Sequence, residues 1–171
     1  MPAKWFEEQP SNRNFLAPTG FKMNLDIFDG VDFFCQAVNL PDISVPNAEV
    51  VTPYRGIPIV ASGGLTYGDL RLKFIIDEDL KNYLTIHHWI TKNNLAEHLD
   101  NQKDPEYSDG ILEILNSNYK TNITVNYRNL FPIDLSELQF DVADTSVEYL
   151  TADVTFKFER YTFHSKNNQE I

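Results

Sequence analysis

Leu150-Thr-Ala-Asp-Val-Thr-Phe-Lys-Phe-Glu-Arg-Tyr-Thr-Phe163 alternates with a period of two: Leu150, Ala152, Val154, Phe156 and Phe158 hold one phase, Thr151, Asp153, Thr155, Lys157 and Glu159 the other. Successive side chains of a strand point to opposite faces, so this is an amphipathic β-strand near the upper end of usual lengths. The phase slips after Phe158: Arg160 falls in the apolar phase, and Tyr161 and Phe163 fall in the polar one. A bulge, or the end of a pairing partner, accounts for such a slip. A strand of this kind needs neighbours on both edges, because an open edge is a template for another chain. That requirement points toward assembly and away from a solitary enzyme.

Working outward, the rest of the chain reads as more of the same structure. Residues 1–20 form a polar, proline-containing N-terminal arm that ends in Phe15-Leu-Ala-Pro-Thr-Gly20. Phe21, Met23, Leu25 and Ile27 then alternate with Lys22, Asn24 and Asp26, a first strand. Asp29-Gly30 is a two-residue hairpin signal, and Val31–Val38 is the expected return strand, closed by Leu40-Pro41. Between residues 42 and 66, Pro46, Pro53 and Pro58 punctuate the β-prone pieces Ala48–Thr52 and Ile57–Ala61. Proline donates nothing to a ladder, so these pieces suit an exposed hairpin, with Val45, Val50, Tyr54, Ile57 and Ile59 left for a partner to order.

Leu70, Leu72, Phe74 and Ile76 mark another strand, and Leu80, Tyr83, Leu84, Ile86, Trp89 and Ile90 have helical spacing. The spacing predicts one helix over about 77–93, with Asp77 as its N-cap. An acidic, polar linker follows over residues 94–109. Three short strands are expected after it, at Ile111–Leu115, Ile123–Tyr127 and Leu138–Phe140, with Phe131-Pro132 in a loop before the third. The sum is a mainly β chain: an antiparallel sandwich or barrel of seven to nine strands with one flanking helix. The expected organisation is an arm (1–20), a β domain (21–163) and a C-terminal tail (164–171).

A chain of 171 residues that is 42% hydrophobic supports a single domain with a real core. Its formal charge of −11 argues against a surface that grips nucleic acid by neutralising phosphates. Cys35 is the only cysteine, which excludes an internal disulfide and a thiolate metal cluster. No leading hydrophobic segment and no run long enough to span a bilayer is present, so synthesis and use in a reducing cytoplasm, or incorporation into something assembled there, are expected.

Candidate chemistry is sparse. Asp77-Glu78-Asp79 reads as helix capping rather than as a ligand set. His87 and His88 are adjacent on the helix, about 100° apart, which unsuits them to share a metal; one is expected packed and the other exposed. His98 and His164 have no ligand-like spacing. Cys35 falls in the phase of Val31 and Phe33 and reads as a small buried hydrophobe without an activating base. Gly63-Gly64 lacks the basic neighbours of a phosphate loop. No catalytic residue, cofactor or metal is therefore expected.

Several spaced pieces together carry a family likeness: Asn14-Phe-Leu-Ala-Pro18, Leu40-Pro41, Gly64-Leu-Thr-Tyr-Gly-Asp-Leu70, Asp77-Glu78 opening a helix with Trp89, Phe131-Pro132, Leu138-Gln-Phe-Asp141 and Tyr149 with Val154-Thr-Phe156. In this order the chain resembles, over about residues 14–163, the tail tube proteins of T4-like contractile-tailed bacteriophages and their tube-initiating relatives in the baseplate. The resemblance implies a virion protein whose sheets join edge to edge into hexameric rings. It implies rings stacked into a hollow tube inside a contractile sheath, with phage DNA passing through unbound. Sheath and baseplate proteins are the implied partners, and the 45–66 hairpin and the arm the implied intersubunit contacts.

Six copies at −11 each carry −66 per ring, and acidic or neutral walls let DNA slide. Asp153 and Glu159, on the polar phase of the last strand, are the lumen-facing candidates, although Lys157 shares their face. Three readings follow: a repeating tube subunit, favoured by the compact chain; a tube-initiating baseplate ring; and a monomeric β-sandwich binding module.

Overall fold

A computed structural model describes residues 14–27, 35–51, 53–60, 64–94, 105–141, 149–165 and 170. Among them are eleven strands: β1 (Phe21–Leu25), β2 (Cys35–Val38), β3 (Ile43–Ser44), β4 (Asn47–Val51), β5 (Gly56–Val60), β6 (Thr66–Tyr67), β7 (Leu70–Ile75), β8 (Ser108–Leu115), β9 (Thr121–Leu135), β10 (Thr151–Lys157) and β11 (Arg160–Ser165). One helix, α1 (Lys81–Asn94), lies between β7 and β8. All ladders between these strands are antiparallel.

The fold is organised by β9, which spans 15 residues and belongs to two walls. Its first half lies between β8 and β11, giving a wall in the order β1-β8-β9-β11. Its second half pairs with β10 and continues to β7 and β2. The inner faces meet in one core, with Met23, Leu25, Leu112, Val125 and Tyr127 from the first wall and Leu70, Leu72, Phe74, Ala152, Val154 and Phe156 from the second. Each side chain of this size fully buried contributes roughly 1.5–3 kcal/mol. The helix adds Ile86 and Trp89; Trp89 lies 6.0 Å from the Phe156 ring and donates its indole N–H to the Glu106 carbonyl at 2.8 Å.

The phase slip in the opening stretch marks the corner between the walls. β10 follows one half of β9 and β11 the other, and Phe158 and Glu159 lie between them. In β9 the buried set changes from Val125 and Tyr127 to Leu130 and Pro132. The last strands change in step: Ala152, Val154 and Phe156 are buried before the corner, while Tyr161 and Phe163 pack against the core after it. Arg160 is exposed and takes no apolar slot. Asn129 makes the turn in β9 possible with a φ of 54°, a left-handed value that asparagine tolerates better than most residues.

Other expectations need correction. Asp29-Gly30 lies outside the described residues, and among the described residues no ladder joins the flanking strands: β1 pairs with β8 and β2 with β7. Pairing with different walls lets β1 bury Met23 and Leu25 and lets Cys35 and Val38 of β2 pack against the core. Asp77 does not cap the helix. Its carboxylate accepts from Asp79 N at 2.7 Å and its carbonyl from Leu80 N at 2.9 Å, closing a separate turn. Leu80, with φ 57°, then supplies the first helical carbonyl to Leu84 N, so the helix starts at Lys81.

Phe131-Pro132 is not a loop but part of β9. Pro132 lies opposite Phe156, beside the bulge between Thr155 and Phe156, where the ladder is already interrupted and a missing N–H costs little. Leu138–Phe140 is irregular, not a strand. The chain leaves the ladder at Ser136, whose N–H donates to the Asp153 carbonyl while its hydroxyl accepts from Asp153 N. Both His87 and His88 are exposed, contrary to the expected one in, one out. The buried face of the helix is set by Ile86 and Trp89, and both histidines fall on its solvent side.

Candidate assembly surface

The proline-punctuated excursion folds as a two-stranded ladder of β4 and β5 that pairs with no other strand among the described residues. Val50 faces Ile57 and Ala48 faces Ile59, so these four side chains share one apolar face. The opposite face carries Asn47, Glu49 and Val51, with Pro58 opposite Glu49. All the described side chains of the ladder are exposed. Of the predicted set, Val50, Ile57 and Ile59 come together, Tyr54 stands at the tip with 97% exposure, and Val45 sits at the base. Phe15 and Leu16 of the arm are also exposed.

The ladder is rooted on the corner of the domain. The short β3–β6 ladder pairs Ile43 with Tyr67, and Gly68 N donates to the Asp42 carbonyl at 2.9 Å. A side chain at Gly68 would collide with the Asp42 carboxylate, so glycine fits this crossing. Tyr67 packs on Phe158 and Tyr161 at 5.5 and 5.2 Å, and the Tyr161 hydroxyl donates to the Pro41 carbonyl at 3.2 Å. Tyr127 completes the aromatic group, with Phe158 at 5.2 Å. Burial raises the phenol pKa of Tyr161, with the nearby Tyr67 phenol next in effect.

The second feature is the wall β1-β8-β9-β11, which ends in a strand paired on one edge at each side. Glu170 bridges back to His164, occupying one position of the β11 edge. Because each neighbouring pair is antiparallel, β1 and β11 run in opposite directions. The solvent face of this wall carries Lys22, Arg128 and Arg160 against Asp26, Asp109 and Glu113, which is charge-balanced despite the −11 of the chain.

The two lumen candidates lie apart. Asp153 is on the second wall, opposite Lys73, in a cleft of about 270 Å³ that also holds Arg71. Glu159 is at the corner and accepts from the Asn129 side-chain amide at 2.5 Å. Lys157 pairs with Asp69 at 2.5 Å. The arginines of the first wall escaped the sequence reading; the one available signal was Arg160 breaking the alternation.

Among the described residues no catalytic constellation is assembled. No group of three or more His, Cys, Asp or Glu able to hold a metal occurs among the described residues. Asp79 is held below the usual carboxylate range by its hydrogen bond to Lys81 on the surface. Burial pushes the Cys35 thiol up to about 11, which opposes nucleophilic use. The Asn126 side-chain amide N–H donates to His164 Nδ1 at 3.1 Å. Trp89 is buried, so it offers no aromatic platform for a ligand such as carbohydrate. No helix among the described residues is long and apolar enough to cross a membrane.

Comparison with known proteins agrees with this picture. Residues 7–164 match the family model described as phage tail tube protein. The tail tube terminator protein of Enterobacteria phage T4 is 31% identical over 130 residues, covering 72% of each chain. The fold is similar to that of the tube-terminating cap of the anti-feeding prophage, with a TM-score of 0.68, 17% identity and coverage of 96% of this chain and 99% of the cap. It is also similar to a chain of the sheath–tube complex of the extracellular contractile injection system PVC, with a TM-score of 0.64, 18% identity and coverage of 88% and 92%.

Proposed function

This chain belongs to the phage tail tube protein family, and we propose that it forms a hexameric ring that closes the end of a tail tube. It is a structural component of the virion tail, not an enzyme. The observation that carries the ring is the four-stranded wall open at both ends. The β11 edge of one copy meets the β1 edge of the next in the antiparallel sense, so copies add head to tail until the rotation closes. Closure also removes both exposed edges, which otherwise invite aggregation.

The core occupies the inner face of that wall, so its polar face turns toward the ring axis. The lumen is then lined by balanced charges with Asn24, Thr124, Asn126 and Thr162 between them, and most of the acidity lies elsewhere. Such a wall offers phosphates little to neutralise, so DNA passes without sticking. Glu159, beside β11, lies near this lumen; Asp153 belongs to the second wall. The apolar face of the β4–β5 ladder docks on an adjacent copy or ring, with sheath and other tail proteins outside.

The terminator role is supported by the 31% identity to a tail tube terminator. It displaces the repeating subunit that compactness favours, because a closing ring can be equally compact. The repeating subunit is the second reading, supported by the match to the tube family itself; the baseplate initiator rests on fold likeness alone, to a chain of the anti-feeding prophage baseplate. Electron micrographs and sedimentation of the purified protein over rising concentration separate them. Single rings that never stack fit the terminator, long tubes the repeating subunit, and a monomer at all concentrations rejects both.

A further inference from the structure

The solvent face of the first wall carries its charges in ordered rows. Asp26 lies beside Asp109, to whose carbonyl its N–H donates at 3.1 Å, and Arg128 lies directly opposite Arg160. Since Asp109 also reaches the Arg128–Asn129 turn, accepting from Asn129 N at 3.0 Å, one row crosses the wall as Asp26, just past the end of β1, then Asp109, Arg128 and Arg160. Like charges opposite one another across a ladder are destabilising. Within one copy this row has an acidic end and a basic end.

We propose that Asp26 of one copy pairs with Arg160 of the next and thereby fixes the register in which the ring closes. The inference rests on the ring reading above and adds its specificity element. Among the described residues, neither Asp26 nor Arg160 has an ion-pair partner, and both are exposed. The Asp109 carboxylate accepts from the Asn129 N–H through one oxygen and lies a strand further from the β1 edge, which leaves Asp26 as the acid of the row nearest a neighbouring copy. The Glu170 bridge occupies the β11 edge at His164 and leaves the Arg160 end clear for a neighbouring strand. Joining β11 to β1 sets the basic end of each row against the acidic end of the next, directly or one diagonal away, within arginine reach. A slip of one residue turns the facing side chains to the other side of the sheet and breaks the match.

The test is charge reversal in the full chain: Asp26→Arg, Arg160→Asp, and both together, with ring formation followed by sedimentation and electron microscopy. Each single reversal is expected to raise the protein concentration needed for half assembly by about tenfold or more. The double reversal is expected to recover most of the loss. Unchanged circular dichroism and melting of the single variants exclude misfolding as the cause. Single variants that assemble like the parent overturn the pairing and leave the ring reading intact, as does a double variant no better than the worse single one. A parent chain that forms no rings overturns both. Rings that survive Arg160→Asp but lose binding of a labelled DNA duplex assign the arginines to phosphate and also overturn the pairing.

Discussion

Asn129 donates its backbone N–H to the Asp109 carboxylate at 3.0 Å while its own φ stands at 54°. The contact fixes the one residue that lets β9 pass from the first wall to the second. A residue other than glycine in this conformation is strained, and a β-branched residue most of all. Asn129→Val is expected to cost about 2 kcal/mol, a fall of roughly 4–8 °C in melting midpoint for a domain of this size. Asn129→Gly relieves the strain but loses the amide bond to Glu159, so its midpoint should stay within about 2–4 °C of the parent. Thermal unfolding by circular dichroism checks both; equal losses would show that the turn is not set by φ.

Tyr127 is 1% exposed and its hydroxyl has no hydrogen-bond partner among the described residues. A buried hydroxyl without a partner contributes little, so Tyr127→Phe should leave stability unchanged or raise it by up to about 1 kcal/mol. Burial also raises this phenol pKa in the folded chain above its unfolded value. The associated stability is fully present below the unfolded pKa, near pH 10, and is lost as pH rises beyond it. The parent should therefore weaken more steeply than Tyr127→Phe in alkaline denaturant titrations. A variant that is less stable at neutral pH would reveal a partner for the hydroxyl.

How much of this was legible in the sequence depends on the range of each interaction. The amphipathic phases of β1, β7 and β10 could be read because alternation is local and both faces are decided by one core. The exposed hairpin could be read because three prolines rule out a central strand. The pairing of β1 with β8 and of β2 with β7 was not, since a hairpin dipeptide reports only its own turn. Pro132 inside β9 was misread for the same reason: only the partner strand shows that a bulge excuses it. The corner was visible as a slip at Phe158–Arg160, but its cause lay in Asn129, thirty residues before Glu159. The row of acids and arginines was hidden because it exists only across four registered strands.

Cys35 carries its thiol partly buried in β2, bonded to the Ala37 carbonyl, with its pKa pushed from 9.0 to about 11 by burial. The folded chain thus holds the neutral thiol; the stabilisation is full below pH 9 and disappears as pH rises through about 11. At pH 8, iodoacetamide should label the native protein at least about tenfold more slowly than the denatured chain, because the thiolate is the reacting form. Matching rates would mean that the thiol is freely hydrated.

Val50 and Ile57 face each other on a ladder that pairs with no other strand among the described residues, and both are exposed. Replacing an exposed side chain changes the stability of the isolated chain by no more than about 0.5 kcal/mol. Val50→Lys and Ile57→Lys should therefore leave the monomer's melting midpoint almost unchanged. If this face docks on a neighbouring copy, each buried lysine costs several kcal/mol at the interface, and assembly should fall by about a hundredfold or more. Sedimentation of the two variants beside the parent gives the answer. Normal assembly with lysine at both positions would remove the β4–β5 ladder from the contact and leave ring closure to the strand edges alone.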